Sequence, residues 1–361
     1  MNGFIKKIFS HAHFTHSNYF YIMQLHYKTT NIPFIHPFTI SGGRTKTHQP
    51  ALVVALQLGN LFGYGEAPAI AYYDITVEKM VADIELHKKM IEKFAFTEPA
   101  RYWHYLHHLI PKNPFLICAL DMAAWDLYGK MKGKLLHQLW HTNFEDQIPT
   151  DYTIGIDSVE NMVNKLKEKP WPIYKVKLGT PNDIDIVKAL RANTNSKIRV
   201  DANAGWTLEE ALQLIPELKD LNVELVEQPL AKDNWEGMKQ LYQQSSLPLI
   251  ADESCVFEQD VAKCYNHFHG INIKLTKCSG ITPALRMIDE ARKLQMQIMM
   301  GSMNENIIGS AAIAQFIPML DYVDMDGPLL QNAEFANASG LAIYQNRVEV
   351  AGTKGLGITA L

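Results

Sequence analysis

Short apolar runs that end in a polar or charged residue recur through the second half of the chain, roughly 25 residues apart. The segments between them favour amphipathic helices, and TLEEALQLIPELKDL opens with a capping box formed by Thr207 and Glu210. This spacing suits one strand and one helix. Eight such units predict an α/β fold, a modified (β/α)8 barrel of the TIM type over residues 141–338. The residues at the eight strand ends are Thr153, Lys177, Asp201, Glu227, Asp252, Lys274, Ser302 and Asp324.

The first part of the chain, residues 24–140, lacks this period. Its runs LHYKTTNIPFIHPFTI and ALVVALQLGNLFGYGEA favour strands, and helical patterns follow over residues 75–91 and 116–130. These elements predict an α+β capping domain ahead of the barrel. The C-terminal residues 339–361 favour a hairpin with no helix after it, which we expect to pack back on the capping domain.

The segment before these strands, residues 1–23, is a leader of uncertain role. It carries Lys6 and Lys7 but neither a sustained apolar core nor a small-residue cleavage site, so it makes a poor signal peptide.

The composition excludes some classes of function: a net charge of -4 gives no sign of nucleic-acid or membrane binding. The four cysteines lie far apart without CxxC spacing, which favours a reducing, cytoplasmic location.

The polar residues at the strand ends predict one shared site. Parallel strands of a barrel present their carboxyl ends at the same face, and six of the eight ends here carry Lys, Asp or Glu. Asp201, Glu227 and Asp252 come from three consecutive strands, where their charges would repel one another. An all-oxygen set of this kind suits Mg²⁺, with Mn²⁺ as a substitute. The alternative is a cluster of salt bridges with the nearby lysines.

Two lysines flank this acidic trio. Lys177 and Lys274 end the second and sixth strands, which lie opposite each other in a barrel of eight. Lys175 shares a strand face with Lys177, and both this second ammonium group and removal from water favour a neutral amine at Lys177. Two bases on opposite sides of one carbon indicate racemisation or epimerisation, in which the metal binds a carboxylate and stabilises the enediolate.

The motifs KVKLG, DANAGW, VEQP, ADES and NIKLTKCSG, in this order, resemble those of the enolase superfamily, muconate lactonising subgroup. The resemblance runs from about Gln24 to the C-terminus. It implies that Lys177 and Lys274 are the acid/base catalysts and that Asp201, Glu227 and Asp252 bind the metal. Asn203 and Glu253, which lie within the same motifs, would support these ligands.

The segment VDMDGP resembles the eighth strand of dipeptide epimerases. There Asp324 and Asp326 would bind the α-ammonium group of a dipeptide. The alternatives in the same subgroup are muconate cycloisomerases, o-succinylbenzoate synthases and N-acylamino acid racemases, whose substrates lack that ammonium. A barrel that binds metal without turnover is the alternative outside enzymology, but it would not need both lysines and all three acids.

The second residue of the dipeptide is predicted from the loop SGGRTKT, which should fold over the barrel mouth. Arg44 resembles the arginine that holds a glutamate carboxylate in relatives acting on L-Ala-L-Glu. L-Ala-D/L-Glu is therefore the expected substrate, in murein peptide metabolism, with a hydrophobic second residue as the alternative. A homo-oligomer is expected. Further residues expected to bind the substrate are Thr153, Lys175, Ser302 and Asn304.

Overall fold

The computed structural model describes residues 23–40, 44–144 and 147–359. The predicted leader therefore lies outside the described residues except for Met23, and so do the loop residues 41–43. The capping domain opens with an antiparallel sheet of three strands in the order β1-β2-β3. The run ALVVALQLGNLFGYGEA contributes to two of them, because the chain turns at Gly59 with a φ of 60°. The strands are β1 (Gln24–Ile40), β2 (Arg44–Leu58) and β3 (Leu61–Pro68).

Four helices follow the sheet of the capping domain. The third is buried along most of its length and packs against β3, where Gly63 and Gly65 leave no room for a side chain against the backbone of Ala119 and Ala123. The sequence pattern predicted the first and third helices and missed the second and the short fourth. The helices are α1 (Val77–Glu92), α2 (Pro99–Leu109), α3 (Pro114–Lys132) and α4 (Leu136–Leu139).

The second sheet has eight parallel strands in chain order, as predicted for a barrel. Its first and last strands meet through a hydrogen bond from the Asp151 amide to the Val323 carbonyl, at 3.4 Å. The fold is thus a modified TIM-type barrel with an N-terminal capping domain. The strands are β4 (Tyr152–Ile154), β5 (Ile173–Lys177), β6 (Lys197–Asp201), β7 (Val223–Glu227), β8 (Leu249–Ala251), β9 (Gly270–Ile273), β10 (Gln297–Gly301) and β11 (Tyr322–Asp324).

Helices alternate with these strands and cover the outside of the barrel. The capping box predicted at the start of the third barrel helix is present, with the Thr207 hydroxyl and the Glu210 carboxylate each accepting from the other's amide. The helices are α5 (Val159–Glu168), α6 (Asp183–Arg191), α7 (Leu208–Asp220), α8 (Trp235–Gln244), α9 (Glu258–Cys264), α10 (Ile281–Lys293), α11 (Ile307–Ala314) and the short α12 (Gly327–Leu330). None of the helices in the described residues is long and apolar enough to cross a membrane.

The barrel strands separate apolar from charged side chains. On β5, Tyr174 and Val176 face the core between strands and helices, as does Leu178 directly after the strand, whereas Lys175 and Lys177 face inward, as the period of two predicts. A small apolar cluster of Leu225, Ile250 and Met299 forms inside the barrel. The charged groups of the strand ends lie at the opposite, carboxyl end.

The C-terminal segment forms the expected hairpin from β12 (Leu341–Ile343) and β13 (Val348–Val350). After it, the Leu356 amide donates to Asp126 of α3 at 2.8 Å. The carbonyl of Leu356 accepts from Gln315 of the barrel at 3.3 Å. The tail therefore contacts both the capping domain and the barrel, while the exact domain limits stay predictions.

One carboxylate links the capping domain to the barrel mouth. Glu66 of β3 is buried and accepts hydrogen bonds from the amides of Asn306 and Gly309, at 2.8 and 2.9 Å. These amides belong to the first turn of α11, so a residue of the capping domain caps the N-terminus of a barrel helix. The contact fixes the loop between β10 and α11, which lies at the mouth.

Candidate active site

The carboxyl ends of the barrel strands surround a cavity of about 290 Å³ beneath the capping domain. Six of the eight predicted strand-end residues line it, all except Asp201 and Glu227. The capping domain contributes a largely apolar wall with one cation, formed by Ile70, Tyr72, Tyr73 and Lys46. A pocket of this size, mostly apolar with converging charged groups, is typical of a small-molecule site.

The acidic trio predicted from the sequence is present. Asp201, Glu227 and Asp252 are buried, and one carboxylate oxygen from each lies within 4.8 Å of the others. Burial raises the pKa of Glu227, and the charge of Asp201 raises it further. Three carboxylates at this separation therefore need positive charge near them to stay ionised.

The two predicted acid/base lysines supply part of that charge from opposite sides. The Lys177 ammonium lies 2.6 Å from Asp201, and the Lys274 ammonium lies 2.7 Å from Asp252. Burial alone would lower the pKa of Lys274, but Asp252 and Glu227 hold it above its ordinary value. Because β5 and β9 are four strands apart in a barrel of eight, the two amines face each other across the cavity.

Lys175, expected to bind substrate, lies deeper than Lys177. It is 1% exposed and does not line the cavity in the described part of the chain. Its ammonium lies 2.7 Å from Glu227, 2.8 Å from Asp324 and 3.4 Å from Asp201. Burial alone would lower the pKa of Lys175, but these carboxylates raise it well above its ordinary value. Lys175 is therefore a buried counterion under the site, joining the trio to the eighth strand.

The two acids of the eighth strand line the cavity, as predicted. Asp326 accepts a hydrogen bond of 2.6 Å from the Thr153 amide, and burial together with Asp324 raises the pKa of Asp326 to about 7. Asp151 lies within 4.8 Å of both acids and pairs with Arg199 at 2.9 Å. Asp324 and Asp151 each have a basic partner, whereas Asp326 has none among the described residues, so a bound cation would suit this acidic corner.

The other predicted site residues divide into two groups. Thr153, Asn203, Glu253, Ser302 and Asn304 all line the cavity. The Asn203 amide donates to Asp201 at 2.9 Å, and burial together with Asp252 and Asp201 raises the pKa of Glu253 to about 7. For Arg44, only the backbone belongs to the described residues, at the start of β2. Its predicted contact with a substrate therefore lies outside what the structure describes.

Sequence reasoning missed several residues of the site. The wall residues Ile70, Tyr72, Tyr73 and Lys46 belong to the capping domain, and no repeat in its sequence marks them. Lys277 and Asn272 support the acidic trio from behind. The signal for Lys277 was present, because it is the second lysine of the KLTK motif.

The trio fits a hard divalent cation. All three side chains offer carboxylate oxygens from adjacent strand ends, which is the donor set that Mg²⁺ and Mn²⁺ prefer. Asn272 donates to Glu227 at 2.8 Å, so the glutamate is held in place from outside the cavity. A ligand fixed by such a neighbour is typical of metal sites.

Comparison with known proteins agrees with this geometry. Residues 25–140 match the model of the mandelate racemase / muconate lactonizing enzyme N-terminal domain, and residues 157–360 match the enolase C-terminal domain-like model. An L-Ala-D/L-amino acid epimerase of Flavobacterium johnsoniae is 48% identical, over 94% of this chain and all of the relative.

Two solved structures share the fold. The L-Ala-D/L-Glu epimerase of Bacillus subtilis, in a substrate-liganded complex, has a TM-score of 0.88 at 27% identity, covering 94% of this chain and 99% of that one. The dipeptide epimerase of Enterococcus faecalis, with Mg and L-Leu-L-Tyr, has a TM-score of 0.86 at 30% identity and the same coverage. The chain therefore belongs to the mandelate racemase / muconate lactonizing enzyme family of the enolase superfamily.

Proposed function

We propose that this protein is a dipeptide epimerase, an isomerase that inverts the α-carbon of the C-terminal residue by moving a proton between Lys177 and Lys274. The observation that carries this proposal is the placement of the two amines on opposite sides of one cavity. One lysine removes the α-proton from one face, and the other returns a proton to the opposite face. Each acts in the reverse role for the other epimer.

The charged groups around the lysines fit the two ends of a dipeptide. Asp324 and Asp326 bind the N-terminal ammonium, and Asp201, Glu227 and Asp252 hold Mg²⁺ or Mn²⁺. Bound there, the cation would supply positive charge that attracts the substrate carboxylate, makes its α-proton more acidic and offsets the carboxylates that hold the pKa of Lys274 above its ordinary value. N-acylamino acids and muconate lack the ammonium group that would pair with the acidic corner.

The side chain of the second residue faces the capping domain, because the barrel groups are engaged by the ends of the dipeptide. The Flavobacterium relative supports L-Ala at the first position and a variable second residue. The wall contains apolar groups and Lys46, so L-Ala-D/L-Glu remains our proposed substrate and a hydrophobic second residue the alternative. The four free, buried cysteines support a cytoplasmic role, and the proposed substrate supports a role in murein peptide metabolism. The homo-oligomer remains a prediction, which light scattering can test.

The function is tested by incubating the protein with L-Ala-L-Glu, L-Ala-L-Gln and L-Ala-L-Leu in D₂O with Mg²⁺. We expect one deuterium to enter the α-carbon of the second residue, together with formation of the D-epimer, as read by NMR and chiral chromatography. N-acetylated amino acids serve as the comparison. Exchange of those compounds, with none of the dipeptides, would replace the proposal with an N-acylamino acid racemase.

The metal site gives a second expected result. Glu227→Gln should weaken Mn²⁺ binding on the order of 10²-fold or more, because one of three charges within a few ångströms of the ion is removed. The amide keeps an acceptor for Asn272, so the barrel should still fold. Calorimetric titration of metal-free protein measures the binding, and Glu236→Gln on the exposed start of α8 is the control. Equal affinity in the wild type and Glu227→Gln would remove Glu227 from the site.

A further inference from the structure

Lys277 is a fully buried cation that the proposed reaction does not use. It follows β9, is 1% exposed and does not line the cavity in the described residues. Its ammonium donates to the carbonyl of Asp252 at 2.6 Å and to the carbonyl of Cys255 at 3.0 Å. It also contacts the Asn272 carbonyl at 3.4 Å and the Asp252 Oδ1 atom. Three of its four acceptors are thus backbone groups, which fixes the ammonium.

These contacts divide the two oxygens of Asp252 between two lysines. Lys277 holds Oδ1 from behind, and Lys274 lies 2.7 Å from Oδ2 on the cavity side. Although burial opposes ionisation, Lys274 and Lys277 keep the pKa of Asp252 below its ordinary value. If Lys274 turns to a substrate, Lys277 still compensates the charge of Asp252.

Lys277 also joins two neighbouring parts of the acidic trio. Through the carbonyls of Asp252 and Cys255 it holds the loop after β8, and through the Asn272 carbonyl it contacts β9. The side chain of Asn272 in turn donates to Glu227 Oε1 at 2.8 Å. One buried ammonium therefore lies behind two of the three carboxylates.

We propose that Lys277 is a positioning residue, which turns Oδ1 of Asp252 away from the cavity and presents Oδ2 to the metal ion. This inference rests on the metal site of the proposed function. It makes Asp252 a ligand through one oxygen, with its orientation set before any ion binds. Neighbours that orient metal ligands typically contribute 10- to 100-fold to metal affinity.

The direction of the change in metal affinity distinguishes a positioning role of Lys277 from a purely electrostatic one. Removal of any cation near the site reduces repulsion of a divalent ion, so electrostatics alone predicts tighter metal binding in Lys277→Met. Loss of positioning predicts weaker binding, because Asp252 is then free to rotate and its loop loses three hydrogen bonds. Lys274→Met is the matched control, since it removes a cation from the other oxygen of Asp252 and leaves Lys277 in place.

The experiment titrates Mn²⁺ into metal-free wild type, Lys277→Met and Lys274→Met, by calorimetry and by electron paramagnetic resonance, at a temperature below each unfolding transition. We expect the dissociation constant to rise about 10- to 100-fold in Lys277→Met and to stay equal or fall in Lys274→Met. Lys277→Gln, which keeps two N–H donors, should restore part of the affinity.

Other outcomes overturn the proposal. Unchanged or tighter binding in Lys277→Met would leave Lys277 as a charge without a positioning role. If both Lys277→Met and Lys277→Gln fail to fold, Lys277 serves folding and not the metal. A wild-type protein that binds no Mn²⁺ would refute the metal site itself, which is a different result from weak binding in the variant alone.

Discussion

Replacing Lys274 with alanine should abolish epimerisation and leave slow, stereospecific exchange of the α-hydrogen of one epimer. Lys177 would remain as the single base and would reach only one face of the α-carbon, because it lines the cavity opposite Lys274. Loss of a general acid/base typically costs a factor of roughly 10² to 10⁴. Lys177→Ala should show the mirror result, with exchange of the other epimer. NMR in D₂O, started separately from the L- and D-forms, measures both.

The variants should remain folded because each carboxylate keeps a second partner. Asp252 retains Lys277 when Lys274 is removed, and Asp201 retains Lys175 at 3.4 Å when Lys177 is removed. Lys232→Ala, at an exposed position of the loop after β7, is the surface control. Epimerisation by Lys274→Ala at the wild-type rate would show that the two-base assignment is wrong.

Asp326→Asn should reduce kcat/KM for a dipeptide by roughly a hundredfold to several thousandfold. The change removes one of two acids expected to pair with the N-terminal ammonium, and an unpaired buried charge costs about 3 to 5 kcal/mol. Asparagine keeps an oxygen for the Thr153 amide, so the strand contact of 2.6 Å can persist. Steady-state kinetics with a free and an N-acetylated dipeptide measure the effect.

The two changes together test whether they act on the same contact. N-acetylation of the dipeptide should itself cost a similar factor, and combining it with Asp326→Asn should cost much less than the product of the two. Asp321→Asn, near the start of the same strand, serves as a control away from the cavity. If the two losses multiply independently, Asp326 does not bind the ammonium. A preference for the N-acetyl compound would refute the dipeptide hypothesis.

The barrel and its charged end could be predicted from the sequence because both follow from local rules. A parallel strand buried on both faces reads as an apolar run, and a charge at its end is therefore conspicuous. Depth along a strand is harder to predict. Lys175 and Lys177 share a face, but two residues of β-strand separate them by about 6.6 Å, which is enough to put one in the cavity and the other beneath it among carboxylates.

The capping wall could not be predicted because it depends on how two domains meet. Lys46 and Tyr73 lie more than 100 residues before Lys177, and neither shows a pattern that differs from an ordinary surface position. Asp151 was missed for a related reason. It precedes its strand instead of ending it, and its place beside Asp324 arises only when the first and eighth barrel strands come together.

The bridge made by Glu66 has an evolutionary consequence. The capping domain, which we expect to face the variable substrate side chain, also caps the N-terminus of α11 of the barrel through this carboxylate. If the capping domain were exchanged for that of a relative, its third strand would have to supply a carboxylate to the same two amides. Otherwise the loop between β10 and α11 at the barrel mouth would lose this contact. We expect substrate range to diverge instead through single changes at Lys46, Ile70, Tyr72 and Tyr73, which line the cavity. A library confined to those four codons should alter selectivity while retaining proton transfer.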